Sequence, residues 1–181
     1  MSPRIATMVV GLAIGSQFGL SQVTVQYDSG GTAVIQDLTP LGLGGNGLAG
    51  NYFTGLGVSA AVTQITVYLD SVMGAHGFRL QDALTVTTPA LASMLVTSPV
   101  SGFNTVNFAP VSFTGTDLFV GFRDYSGFGI ALDPVTGGNG SHAFAVSTIG
   151  GGATSALTGN FVLRITGPTG LPAELIQFSV Q

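Results

Sequence analysis

The stretch LFVGFRDYSGFGIALD, Leu118 to Asp133, sets Arg123, Asp124 and Tyr125 side by side and adds Phe128 three residues on, in a chain of which only 7% of residues are charged. A guanidinium and a carboxylate can hold a polar ligand, and exposed rings such as Tyr125 and Phe128 can stack on a sugar. The same residue types also build turns, because an aspartate caps its own turn by accepting backbone N–H bonds. Leu118, Val120 and Phe122 share one face of an extended strand, and Phe128, Ile130 and Leu132 can share it too. The stretch therefore reads as a β-hairpin closed by DYSG, with Arg123, Asp124, Tyr125 and Phe128 as its candidate ligand-binding loop. Gly121, Gly129 and Ala131 make the opposite face thin enough for a bulky group or another backbone to approach.

Other chemistry-bearing residues are sparse. DSGG at Asp28 resembles the Asp-Ser-Gly of aspartic proteases, whose chemistry needs two carboxylates sharing one proton, and only one copy is present. His76 and His142 are far apart and belong to no close-spaced metal pair. Asp28, Asp37, Asp70, Asp82, Asp117, Asp124 and Asp133 could contribute to a calcium site built with backbone carbonyls, although no EF-hand order exists and the turn reading competes throughout. GLGGNG from Gly42 matches a dinucleotide-binding spacing but is flanked by TPL and LAGNYF rather than by a strand and a helix, so it reads as a loop. With no lysine there is no P-loop; with no cysteine there is no thiol nucleophile, and no Gly-x-Ser-x-Gly elbow occurs. No catalytic role is expected, and no cofactor beyond the calcium considered above.

Composition says what must position these residues. Hydrophobic residues make up 45% of the chain, there are 28 glycines, and Thr, Ser, Asn and Gln take the surface that lysine and glutamate usually supply. Val, Thr, Phe and Tyr between glycine-rich turns are strand formers, while a helical protein would draw its exposed faces from Glu, Lys and Arg. Val23, Val25 and Tyr27 alternate with Thr24 and Gln26; Ile65, Val67 and Leu69 with Thr66 and Tyr68; Val106 and Phe108 with Asn107; Phe161, Leu163 and Ile165 with Val162 and Arg164; Ile176, Phe178 and Val180 with Gln177 and Ser179. GLGGNG, SGFN, GGNGS and IGGGATS separate such runs. Many short strands at this spacing specify an all-β fold, a two-sheet antiparallel β-sandwich of jelly-roll or immunoglobulin-like type.

Residues 1–21, with Arg4, an apolar run from Ile5 to Ile14 and small residues at Gly19 and Ser21, have the layout of a secretory signal peptide. The run is too short to span a bilayer, so no membrane span is expected in the mature chain. Residues 22–167 then form the sandwich and 168–181 a linker and strand, GPTG preceding LPAELIQFSVQ. The mature chain carries three arginines against eight acids, a formal charge of −5. That balance excludes nucleic acid, whose phosphates are bound by clustered Lys and Arg. A chain of this size buries a core large enough to dispense with disulfides, even outside the cell.

YDSGGTA, FTGLGVSAAVTQITVYLD, VNFAPVSFTGTDLFVGF, IALD and GNFVLRITG together resemble an accessory β-sandwich domain of secreted bacterial proteins, including exported peptidases. The matching positions are Tyr27, Asp28, Gly30 and Thr32; Tyr68 and Leu69; Gly115, Asp117, Phe119, Val120 and Gly121; and Asn160, Phe161, Leu163 and Arg164. Ser29 replaces the second acidic residue of the family's YDDGT-like opening. The tail from Leu171 is similar to the LPVELTSF stretch of proteins exported by type IX secretion. The resemblance implies a non-catalytic module, extracellular or on the cell surface, beside larger exported domains. Three functions follow as expectations: a structural or adhesive module, with protein partners that are neighbouring domains or other copies; a filament subunit whose terminal strand completes a neighbour's sheet; and a carbohydrate-binding module.

Overall fold

The computed structural model describes residues 22–28, 34–37, 47–57, 60–69, 76–84, 89–123, 129–134, 141–147 and 154–168. Among them run the strands β1 (Val23–Gln26), β2 (Val34–Asp37), β3 (Leu48–Phe53), β4 (Ala61–Leu69), β5 (His76–Gln81), β6 (Ala92–Val96), β7 (Gly102–Ser112), β8 (Leu118–Arg123), β9 (Gly129–Asp133), β10 (Ala143–Val146), β11 (Thr154–Ala156), β12 (Asn160–Phe161) and β13 (Leu163–Gly167). All pair antiparallel, in two sheets. The first is ordered β1-β13-β4-β9-β12, with β2 on β9 and β7 on β4; the second is ordered β11-β10-β3-β8-β5-β6. The chain is an all-β sandwich, as its composition and alternation require. Residues 1–21, read above as a signal peptide, and residues 169–181 lie outside the described residues, and with them Ile176, Phe178 and Val180.

The core lies between the sheets and is built by alternation. Val25 and Tyr27 of the first strand region, Ile65, Val67 and Leu69 of β4, and Phe161, Leu163 and Ile165 of β12 and β13 meet Ala49 and Phe53 of β3, Phe78 and Leu80 of β5, and Leu118, Val120 and Phe122 of β8. Val106 and Phe108 pack against the same core from β7, half-buried. Burying a side chain of this class contributes about 1.5–3 kcal/mol, so two apolar faces suffice without covalent staples. On the outer face of the first sheet the polar half of the pattern forms rows of uncharged cross-strand bonds: Thr24 with Thr166 at 2.8 Å, Gln64 Nε2 to Asn107 Oδ1 at 2.7 Å, and Thr66 with Thr105 at 3.0 Å.

The hairpin expected from Leu118 to Leu132 does not form. β8 pairs with β3 and β5 in one sheet, whereas β9 pairs with β2, β4 and β12 in the other. Alternation fixes which residues point inward, and Leu118, Val120, Phe122, Ile130 and Leu132 do share one core. It does not say from which side. Facing sheets stand about 10 Å apart, a gap that the five residues between β8 and β9 are long enough to cross. The thin face at Gly121 is also occupied. The Phe119 ring and Leu48 cover Gly121, and the backbone of Gly50, paired opposite it, lies against the Val120 carbonyl.

Candidate functional site

The residues that carried the family resemblance at the two ends of the domain come together. β1 pairs with β13 in the register Val25↔Ile165 and Gln26↔Arg164, which brings the residue after Tyr27 beside Arg164. Asp28 receives two hydrogen bonds from that guanidinium, Nη2 to Oδ1 at 2.7 Å and Nε to Oδ2 at 3.1 Å. The Asp28 side chain is 1% exposed and that of Arg164 24%, so the pair is buried on its acidic side and open on its basic side. Arg164 also lies over the Phe103 ring, 4.9 Å from its centroid, and Phe103 meets Tyr68 edge-on. Asp28, the candidate protease aspartate, is thus held as an ion-pair acceptor.

Around this pair the two sheets are stitched along one side. Asn160 donates to the Tyr27 carbonyl at 3.2 Å and accepts from His142 N–H at 2.7 Å. The Tyr27 ring stacks on His142 at 3.8 Å and on Phe53 at 5.2 Å, and its hydroxyl accepts from Thr54 N–H at 2.9 Å. His142 lies in the segment just before β10, half-buried against that ring. The side chain of Asn51, on β3 of the second sheet, reaches the backbone of the first: Nδ2 donates to the Phe161 carbonyl at 2.8 Å, and Oδ1 accepts from Phe161 N–H at 2.9 Å. Asn51 brackets the break at Val162 between β12 and β13, where the carbonyl of Ala131 takes the Val162 N–H. Ala143 N–H donates to the Gly159 carbonyl across the same seam, and Gly159 is at φ 109°, where a side chain would strike the Asp133 carbonyl.

Asp117 serves the C-terminal end of β3. It accepts from the Tyr52 hydroxyl at 3.3 Å and from Gly55 N–H at 3.2 Å. Burial first, then the charge of Asp117 and their hydrogen bond, raise the Tyr52 phenol above its ordinary pKa. Of the other candidate calcium ligands, Asp82 is exposed and Asp133 buried, and Asp70 and Asp124 lie outside the described residues. Among the described residues no three His, Cys, Asp or Glu side chains gather as a metal site.

The far side of the sandwich is built differently. Among the described residues β6 and β7 are end strands of their sheets, each paired on one edge only, and they lie next to each other. Between them runs a cleft of about 380 Å³ lined by Leu95, Val96, Thr97, Ser98 and Asn104 to Asn107. Asn104 folds the connecting turn, accepting from Val100 N–H at 2.8 Å and donating to the Val100 and Gly102 carbonyls at 2.7 and 2.9 Å. Among the described residues, the large hydrophobic side chains left exposed are Leu91, Leu95, Val100 and Phe103, between 38% and 59%, all of them in β6, in β7 or in the segments beside them. No charged residue occurs between Asp82 and Asp117.

Of the loop singled out in the sequence, Arg123 ends β8, half-buried on the outer face of the second sheet. It lines a groove there with Arg79. Asp124, Tyr125 and Phe128 lie outside the described residues. Sequence reasoning missed Arg79, Asn51 and the rim. Asn51 did leave a signal, an amide at an inward position between Ala49 and Phe53, which a buried strand carries only when the amide is hydrogen-bonded. Comparison of the chain with protein-family models, curated proteins and solved structures found no match. What the fold and these contacts define is a two-sheet antiparallel β-sandwich. Among the described residues no helix is long and apolar enough to cross a membrane.

Proposed function

We propose that the chain is a non-catalytic structural or adhesive module of an extracellular or cell-surface protein, joined to neighbouring copies or domains along the β6–β7 rim. The observation that carries this is the rim itself. Edge strands present unpaired N–H and C=O groups and are normally shielded by lysine, other charges or inward bulges. Here β6, ASMLV, and β7, GFNTVNFAPVS, hold no charge, and Pro110 is the single proline in either. The exposed large hydrophobics lie along these same two edges, so pairing with a partner would satisfy backbone groups and bury apolar surface in one step.

A second reading is favoured by the same edges: the terminal strand of one copy, Leu175 to Val180, completes the sheet of the next and builds a head-to-tail filament. Purified mature chain should associate as concentration rises, by light scattering and negative-stain microscopy, and Leu95→Lys with Val100→Lys should hold it monomeric. If removing residues 171–181 also abolishes assembly, the donor strand is the tail; if only the lysines do so, the rims pair directly. Monomers at every concentration would refute both. The carbohydrate reading rests on Tyr125 and Phe128, and a glycan array signal that Tyr125→Ala removes would support it. N-terminal sequencing of the native protein tests export by asking whether the chain starts at Gln22.

A further inference from the structure

Of the four basic residues in the chain, three lie among the described residues, and Arg164 is engaged by Asp28. The remaining two, Arg79 and Arg123, stand together. β5 pairs with β8 in the register Arg79↔Gly121 and with β6 in the register Arg79↔Ser93 and Gly77↔Leu95. One step along the same antiparallel ladder, Gly77 faces Arg123. The outer face of the second sheet therefore carries two rows, Arg123–Gly77–Leu95 and Gly121–Arg79–Ser93. The two arginines are diagonal neighbours, a spacing of roughly 7–8 Å in such sheets. Because Gly77 has no side chain, a groove of about 400 Å³ opens between Arg123 and Leu95, with Arg79 and Ser93 along it.

Nothing among the described residues neutralises these charges. The ion pair there is Asp28 with Arg164, and the Arg79 Nε is buried with no hydrogen-bond partner. A net-negative chain with so few cations has placed two of them side by side, where they repel unless an anion lies between. A guanidinium fork sets two N–H donors against two oxygens of one oxyanion group.

We infer that the Arg79–Arg123 groove binds a single oxyanion group, a carboxylate or sulfate, on a ligand whose adjoining part rests against Leu95. The groove shares only Leu95 with the β6–β7 cleft, so loss of anion binding in Arg123→Gln reads this site and not the rim. The test is an amide-shift titration of the isotopically labelled mature chain with hexanoate, glucuronate, methyl sulfate and, as the neutral control, 1-hexanol. Saturable shifts centred on Gly77, Arg79, Ser93, Leu95 and Arg123 are expected with the anions and not with 1-hexanol. Tighter binding of hexanoate than of glucuronate would mark an apolar neighbour to the anion, and the reverse order a sugar. Arg123→Gln should weaken binding at least tenfold. Gly77→Val, which fills the groove and keeps both arginines, should abolish it; if that variant unfolds, Arg123→Gln decides alone. Shifts that never saturate, or affinity unchanged in Arg123→Gln, would overturn the site.

Discussion

Replacing Arg164 by methionine removes the guanidinium and keeps most of the stem, leaving the 1%-exposed Asp28 side chain without its two charge-assisted bonds of 2.7 and 3.1 Å. Removing one partner of a fully buried pair costs about 3–5 kcal/mol. Because the Arg164 side chain keeps 24% of its exposure, solvent already screens part of the attraction, which lowers the expectation to about 2–3 kcal/mol. Asp28→Asn should cost less, about 1–2 kcal/mol, since the arginine retains water and the amide oxygen still accepts. In a chain of this size each kcal/mol lowers Tm by roughly 2–4 °C, so Arg164→Met should melt roughly 4–12 °C below wild type. The double variant Asp28→Asn/Arg164→Met should be no less stable than Arg164→Met alone, with a coupling of about 1–2 kcal/mol. Urea unfolding followed by tyrosine fluorescence measures all four proteins. Arg164→Met within 0.5 kcal/mol of wild type, or strict additivity in the cycle, would show that the seam is not held by this pair.

Asn51→Leu is close to isosteric yet strips the Phe161 N–H and C=O of their buried partner; at about 1–3 kcal/mol per orphaned group the loss should be about 3 kcal/mol, and equal stability by urea titration would contradict the stitched seam. The raised Tyr52 phenol gives a pH signature. Above its ordinary value of 10.0 the unfolded chain releases a proton that the folded one keeps, so stability is fully present below that pH and falls as pH rises through the folded value. Tyr52→Phe should flatten that fall in Tm scans taken from neutral to strongly alkaline pH, and an unchanged slope would assign it elsewhere.

Alternation made the inner faces of β1, β4, β8, β12 and β13 legible, because a half-buried strand writes its burial directly into every second residue. The partner of each strand was not legible, and the missing hairpin shows why. The inward residues of β8 and β9 read as one face whether the strands lie side by side or across the core from each other. Long-range pairings such as Asp28 with Arg164, 136 residues apart, leave no local trace at all. They surfaced through the resemblance alone, which marked both residues without saying that they touch.

The scarcity of charge then acquires a location. Where the sandwich is stitched, Asp28, Arg164, Asn51 and Asn160 spend their hydrogen-bonding capacity on backbone and on one another, so that side has little left to offer a partner. Along β6 and β7 the chain omits the charges that keep edges apart, at the place where its exposed apolar side chains gather. An edge without lysine is costly to a protein meant to stay single, since it invites indiscriminate pairing. Among the described residues β1 and β11 are uncharged end strands too; what sets β6 and β7 apart is that the exposed large hydrophobic side chains lie in or beside them. That difference, rather than the polar loop between β8 and β9, is the physical basis for reading the domain as a building element.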